Sequence, residues 1–198
     1  SKVLTITNDK KETFEILFEI IRPKIKVICV GDNYDVAAFA NVVSVLGWEI
    51  HVVGNLRKMT KAITQKATKI YPLAAIETIK TDEQTAIVLM SHDFKTDLEI
   101  LKKIIDYEVN YIGILGPKKR LLKMQTVFSE NESKSKSKSK NLIDLNEKIN
   151  LFSPIGLDIG AETPEEIATS IVSEIIAVFR NRNAGFLKFR KGSIYERN

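Results

Sequence analysis

The chain has 198 residues, 44% hydrophobic and 28% charged, with a net charge of +5. That is enough for one full core and is most simply read as one domain. No apolar run is long enough to span a bilayer, the opening SKVLTITNDKK has no signal-peptide core, and one cysteine cannot form an internal disulfide. The expected location is the cytoplasm. Residues 3–7 alternate apolar and polar, as a short strand does. Phe14 to Ile21 fits both helical and strand periods, and the close approach of Pro23 and a new strand favours a strand, so 1–23 reads as lead-in strands. Ile25 to Val30 is a buried strand with Cys29 as a core thiol. Gly31 ends it, and Val36, Phe39, Ala40, Val43 and Leu46 trace a helix closing at Gly47. Ile50 to Val53 is the next strand and completes a βαβ unit. A short helix is expected near 60–69 and a short strand over Ala75 to Ile79.

Thr85 to Met90 is a strong buried strand ending at Ser91-His92-Asp93. Thr96-Asp97-Leu98-Glu99 reads as a capping box, opening a helix with Leu98, Leu101, Ile104 and Ile105 inward. Val109 to Leu115 is a strand, and Pro117 opens the following helix. Residues 129–140 read as a solvated, mobile loop, since SKSKSKSK cannot bury apolar area. Without its four lysines the net charge falls to +1, so the basic balance is one tract and not a face. No aromatic or Arg residue interleaves with it, so nucleic acid is not an expected partner. A short helix is expected over Asn141 to Ile149, and Leu151-Phe152 is a last short strand. Thr163-Pro164-Glu165-Glu166 is a capping box, and Ile167, Ile171 and Ile175 form the buried stripe of its helix. Residues 184–198 read as an extra strand or an arm.

Alternating strands and helices predict an α/β fold: a Rossmann-like, doubly wound, mainly parallel sheet with helices on both faces. Such sheets gather ligands at the carboxyl ends of their strands. Four unusual loops follow strands here: Gly31 to Asp35, Ser91 to Asp97, Gly113 to Arg120 and Pro154 to Glu162. The first stands where a dinucleotide fingerprint belongs, but only one of its three glycines, Gly31, remains, and Gly54 stands where a ribose-binding acid would be. Its plain alternative is a turn with Asp32 or Asp35 capping the helix. His92 is either a satisfied polar residue or a rim ligand oriented by Asp93 and Asp97. Gly116-Pro117-Lys118-Lys119-Arg120 puts three cations at a helix start, where acids are favoured, so it reads as an anion cradle or as a solvated basic turn. The Thr163 helix begins with Glu162, Glu165 and Glu166 and is a poor phosphate site. His51, His92 and Cys29 lie too far apart in sequence to suggest a structural zinc, and no metal is expected.

Four stretches together resemble the XdhC/CoxI family, the xanthine dehydrogenase accessory proteins, in their C-terminal Rossmann-like domain. SHDFKTDLEILKKII, NYIGILGPKKRLLKM, SPIGLDIGAETPEEIATSIVSEIIAV and VGDNYDVAAFANVVSVLGWEIHVV carry the likeness, and the tail FLKFRKGSIYER fits the family's basic end. The resemblance implies a molybdenum-cofactor (molybdopterin) binding and maturation module that protects the cofactor and helps insert it into xanthine dehydrogenase-type enzymes. The implied partners are a molybdenum hydroxylase and a cysteine desulfurase, with a homo-oligomer expected. Carried-over candidate cofactor-binding positions are Gly31, Tyr34, Asp35, His92, Asp97, Gly113, Gly116, Lys118, Arg120, Gly156, Asp158, Gly160 and Glu162; none is offered as catalytic. Asp32 and Asn33 replace the family's usual Ala and Gly. Full members also carry a separate N-terminal domain, which these 198 residues do not match. Two alternatives stay open: a divergent NAD(P)-binding oxidoreductase, and a ligand-free scaffold that contacts a partner enzyme.

Overall fold

The computed structural model describes residues 2–19, 21, 23–134, 145, 148 and 150–193. The chain opens with a hairpin of β1 (Lys2–Thr7) and β2 (Thr13–Phe18), paired antiparallel with Leu4 opposite Ile16 and Ile6 opposite Phe14. It forms its own two-stranded sheet, and every residue in it is exposed.

The main sheet has six strands, all parallel: β3 (Lys26–Val30), β4 (Glu49–Gly54), β5 (Lys69–Pro72), β6 (Thr85–Leu89), β7 (Tyr111–Ile114) and β8 (Leu151–Phe152). Their spatial order is β5-β4-β3-β6-β7-β8. That is the doubly wound order, and it reverses direction between β3 and β6. The helices are α1 (Tyr34–Val45), the single turn α2 (Lys61–Thr64), α3 (Phe94–Ile104), α4 (Lys118–Lys134) and α5 (Pro164–Phe179). The apolar runs of the central strands split cleanly between two cores, because alternate side chains point to opposite faces. Ile28, Val30, Ile87, Leu89, Ile112 and Ile114 pack under α3 and α4. Val27, Cys29, Ala86, Val88 and Tyr111 pack under α1 and α5, which lie against each other. Among the described residues, no helix is long and apolar enough to cross a membrane.

Four local expectations change. The edge strand is Lys69–Pro72, not 75–79, and Leu73–Thr78 is a 3-10 turn. Pairing of His51 with Lys69 through Gly54 with Pro72 sets that strand, and Pro72, with no N–H to donate, stands at its end. Ile76 and Ile79, three apart, then both reach the core. The cap of α3 is Asp93, whose Oδ1 accepts from the Thr96 N–H at 2.7 Å, so Thr96 lies inside the first turn. This earlier start turns Asp97 inward. The cap of α1 is Asn33 and neither neighbouring aspartate. Helix α4 runs to Lys134, since SENESK contains no Gly or Pro to stop it, so the Ser-Lys loop cannot begin at 129. The tail holds a 3-10 turn at Leu187–Phe189 and no strand among its described residues. The helix expected over 141–149 lies outside the described residues except for Leu145 and Lys148, and 194–198 also lie outside them.

Candidate functional site

All six strands point the same way, so the four loops named from the sequence share one edge of the sheet. Gly31 ends β3 with φ +150, and a Cβ there would stand 2.7 Å from the Met90 carbonyl oxygen. Glycine thus lets the ends of β3 and β6 close up at the switch point. Asn33 bridges them: its Oδ1 accepts from the Val36 N–H at 3.2 Å while its Nδ2 donates to the Met90 carbonyl at 2.7 Å. Asp32 accepts from the Asn55 N–H at 2.9 Å. His92, held at φ +62, places Nε2 2.6 Å from Asp35 Oδ2 across the crevice. Its partner is therefore Asp35, not Asp93 or Asp97, which are used elsewhere. Tyr34 donates to Glu165 Oε1 at 3.1 Å, joining α1 to α5, and that bond and the carboxylate's charge raise the phenol's pKa. The crevice is acidic, and much of its hydrogen bonding is already met by its own side chains.

Asp97 is wholly buried. Its Oδ1 accepts from the Ser91 hydroxyl at 2.5 Å, and its Oδ2 from Arg120 Nη2 at 2.7 Å. The Arg120 guanidinium also lies over Phe94, 5.8 Å from the ring centroid, and its Nε is buried with no hydrogen-bond partner among the described residues. Arg120 thus serves α3 from α4 and spends its charge on a carboxylate. The exposed cations at this helix start are Lys118 and Lys119. No acid lies in the first turn of α4, whereas α1 and α3 each carry one and α5 carries two.

Two cavities meet at Pro117. One, of about 540 Å³, lies between Gly116-Pro117 and the loop 154–161, so it gathers Gly116, Gly156, Asp158 and Gly160. The other, of about 450 Å³, is lined by Phe94, Pro117, Lys119, Arg120 and Lys123. Both fall in the size range of small-molecule sites. Gly113 lies inside β7, where a Cβ would stand 2.6 Å from Ile155 Cγ2, so its smallness seats the loop rather than a ligand. Glu162 uses its N–H, with that of Thr163, to bind Glu166 Oε2 at 2.9 Å. These two bonds hold the Glu166 carboxyl below the usual carboxylate range. The box at Thr163 and Glu166 is complete, as its sequence implies. Among the described residues, no group of three His, Cys, Asp or Glu side chains could hold a metal ion.

Residues 27–175 match the family model of the XdhC Rossmann domain. The chain belongs to that family. It is 28% identical over 170 residues to a probable xanthine dehydrogenase subunit of Bacillus subtilis, covering 83% of this chain and 46% of that protein. It is 22% identical over 166 residues to the molybdenum cofactor insertion chaperone PaoD of Escherichia coli, covering 83% of this chain and 42% of that one. A crystal structure described as a xanthine dehydrogenase from Bacillus halodurans superposes with a TM-score of 0.68 at 28% identity, over 89% of this chain and 50% of that chain. The chain thus spans about half the length of these relatives.

In this XdhC Rossmann domain, sequence reasoning placed Lys119 in the basic helix start but missed Ser91, Phe94, Lys123, Ser170 and Glu174 as individual residues of the site. Ser91 and Phe94 belong to motifs already singled out, and their contacts depend on where α3 starts. Lys119 and Lys123 are spaced to share one face of α4, a signal visible in the sequence. Ser170 and Glu174, also four apart, interrupt the apolar stripe of α5 and could have been noticed as polar residues on a buried face.

Proposed function

We propose that this chain is the Rossmann module of an accessory protein that binds molybdenum cofactor and shields it on the way to a xanthine dehydrogenase-type hydroxylase. The observation that carries the reading is the pair of cavities sharing Pro117, set in a domain of the XdhC family. The cofactor is a fused pterin bearing a phosphate, and it supplies a dithiolene-held molybdenum centre for redox chemistry in the receiving enzyme. The residues fit such a cargo in size and in charge. The cavity at Gly116, Pro117 and 154–161 is lined by glycines, two prolines and aliphatic side chains such as Leu115, Ile155 and Ile167, an apolar wall that suits a flat ring system. The neighbouring cavity offers Lys119 and Lys123 to the phosphate, close to a helix start whose first N–H groups lack intrahelical acceptors. Arg120, tied to Asp97, braces that wall. The chain's part is to bind, orient and exclude water and oxygen.

The test is protection. Purified chain should slow oxidation of cofactor released from a molybdenum hydroxylase. Lys119→Ala with Lys123→Ala should weaken that protection roughly tenfold or more, the scale of losing charge-assisted bonds. Added salt should weaken the wild type too. Equal protection by the double variant would overturn the phosphate assignment, and no protection by the wild type would overturn the reading itself.

A further inference from the structure

We infer that Glu174 is a positioning residue: from the second turn of α5 beyond its start it holds the 154–161 loop in its ligand-receiving shape. The inference rests on reading the cavity beside that loop as the cofactor's seat. Glu174 Oε2 accepts from the Gly156 N–H at 3.0 Å and from the Tyr111 hydroxyl at 2.5 Å. One oxygen therefore ties together β7, the loop after β8, and α5. Tyr111 is itself fixed, fully buried and stacked on Phe152 at 4.6 Å between ring centroids. Burial first, and the Glu174 charge second, push its phenol pKa well above the ordinary value, so it remains a donor.

One helical turn earlier, Ser170 grips the next loop residue twice. Its Oγ donates to the Leu157 carbonyl at 2.6 Å, and its own carbonyl accepts from the Leu157 N–H at 3.3 Å. Two successive turns of α5 thus hold two successive residues of the loop. Gly156, at φ +97, is in a conformation that no regular ladder stabilises, and its N–H would otherwise lose a partner. The loop lies so close to α5 that a Cβ on Gly156 would stand 2.4 Å from Ser170 Oγ. Neither Glu174 nor Tyr111 lines the cavity, so their effect on a ligand must pass through the loop.

The experiment compares Glu174→Ala, Glu174→Gln and Tyr111→Phe in the full chain. Three quantities are read: exchange of the Gly156 amide, thermal midpoint, and protection of molybdenum cofactor released from a hydroxylase. Glu174→Ala should speed Gly156 exchange and weaken protection roughly tenfold each, the scale of losing one bond to a charged acceptor. Glu174→Gln keeps an acceptor oxygen and should restore most of both. Tyr111→Phe keeps the Gly156 bond and should lower the midpoint without the same loss of protection. The inference falls if Glu174→Ala protects like wild type, or if both positions lose protection merely in step with their midpoints. Should Glu174→Ala not fold, Glu174→Asp shortens the reach to the Gly156 N–H by one methylene, and unchanged protection there overturns the inference. If wild type gives no protection, the seat is misassigned and the inference falls with it, whatever the exchange rates show.

Discussion

His92 Nε2 lies 2.6 Å from Asp35 Oδ2, tying the loop after β6 to the first turn of α1 across the switch point of the sheet. In a dinucleotide-binding sheet this is where the pyrophosphate meets the helix start. Here Asn33 already accepts from an α1 N–H, and Asp32 and Asp35 add negative charge beside it. NAD+ or NADP+ titrated into the chain to millimolar concentration should therefore give no saturable heat. A well-defined isotherm in the micromolar range would contradict this account of the crevice.

Asp97 and Arg120 form a buried pair, 2.7 Å apart, between α3 and α4. Removing one partner leaves the other charge poorly solvated, Asp97 (side chain 1% exposed) more so than Arg120 (18%). Asp97→Ala and Arg120→Ala should each cost about 3–5 kcal/mol by urea unfolding: the first strands the guanidinium and frees the Ser91 hydroxyl, the second strands the buried carboxylate. The double variant should cost less than the sum of the two. A loss under about 1 kcal/mol for Asp97→Ala, as for an exposed pair, would show that the contact is not made in solution.

The central sheet was legible because parallel strands buried on both faces read as unbroken apolar runs: Val27 to Val30, Thr85 to Leu89 and Tyr111 to Ile114 stand out at once. The edge was not. Lys69–Pro72 is exposed on its outer side, so its short sequence carries little apolar signal, while Leu73–Thr78 looks more strand-like and is a 3-10 turn. The start of α3 was ambiguous because Asp93 and Thr96 can each cap a helix, and only the burial of Asp97 decides between them. The rim loops could be grouped from sequence, since their strands are parallel. Which residues meet within them could not. Asp35 reaching His92, Arg120 turning to Asp97, and Glu174 reaching Gly156 all depend on side-chain geometry between distant elements.

His51 sits buried on β4 with neither ring nitrogen hydrogen-bonded among the described residues. Burial lowers its pKa, Lys69 and Lys26 lower it further, and Glu49 opposes them. A depressed folded-state pKa means that the unfolded chain takes up the proton first. The His51 contribution is thus fully present above the ordinary value of about 6.5 and is lost as pH falls below it. The urea midpoint should decline between pH 7 and pH 5, and His51→Leu should flatten that decline. Depressed carboxyls such as Asp82 and Asp93 act at lower pH, below about 4. Identical slopes in wild type and variant over pH 7 to 5 would remove His51 as the cause.

Gly156 and Gly160 both have positive φ, +97 and +71, yet they should respond differently to a methyl group. At Gly160 nothing lies within 4 Å of an added Cβ, so Gly160→Ala meets only the backbone penalty of the left-handed region, about 1 kcal/mol. At Gly156 the same Cβ would stand 2.4 Å from Ser170 Oγ and 3.3 Å from Ser170 Cβ, and φ lies beyond the region other residues tolerate. Gly156→Ala should therefore cost about 2–3 kcal/mol, because the strain adds to a push against α5. Urea unfolding of the two single variants measures the difference directly. Adding Ser170→Ala to Gly156→Ala should recover the steric part and leave the backbone part. Equal losses at the two glycines would mean that the loop does not rest on α5 as its bonds to Ser170 and Glu174 require.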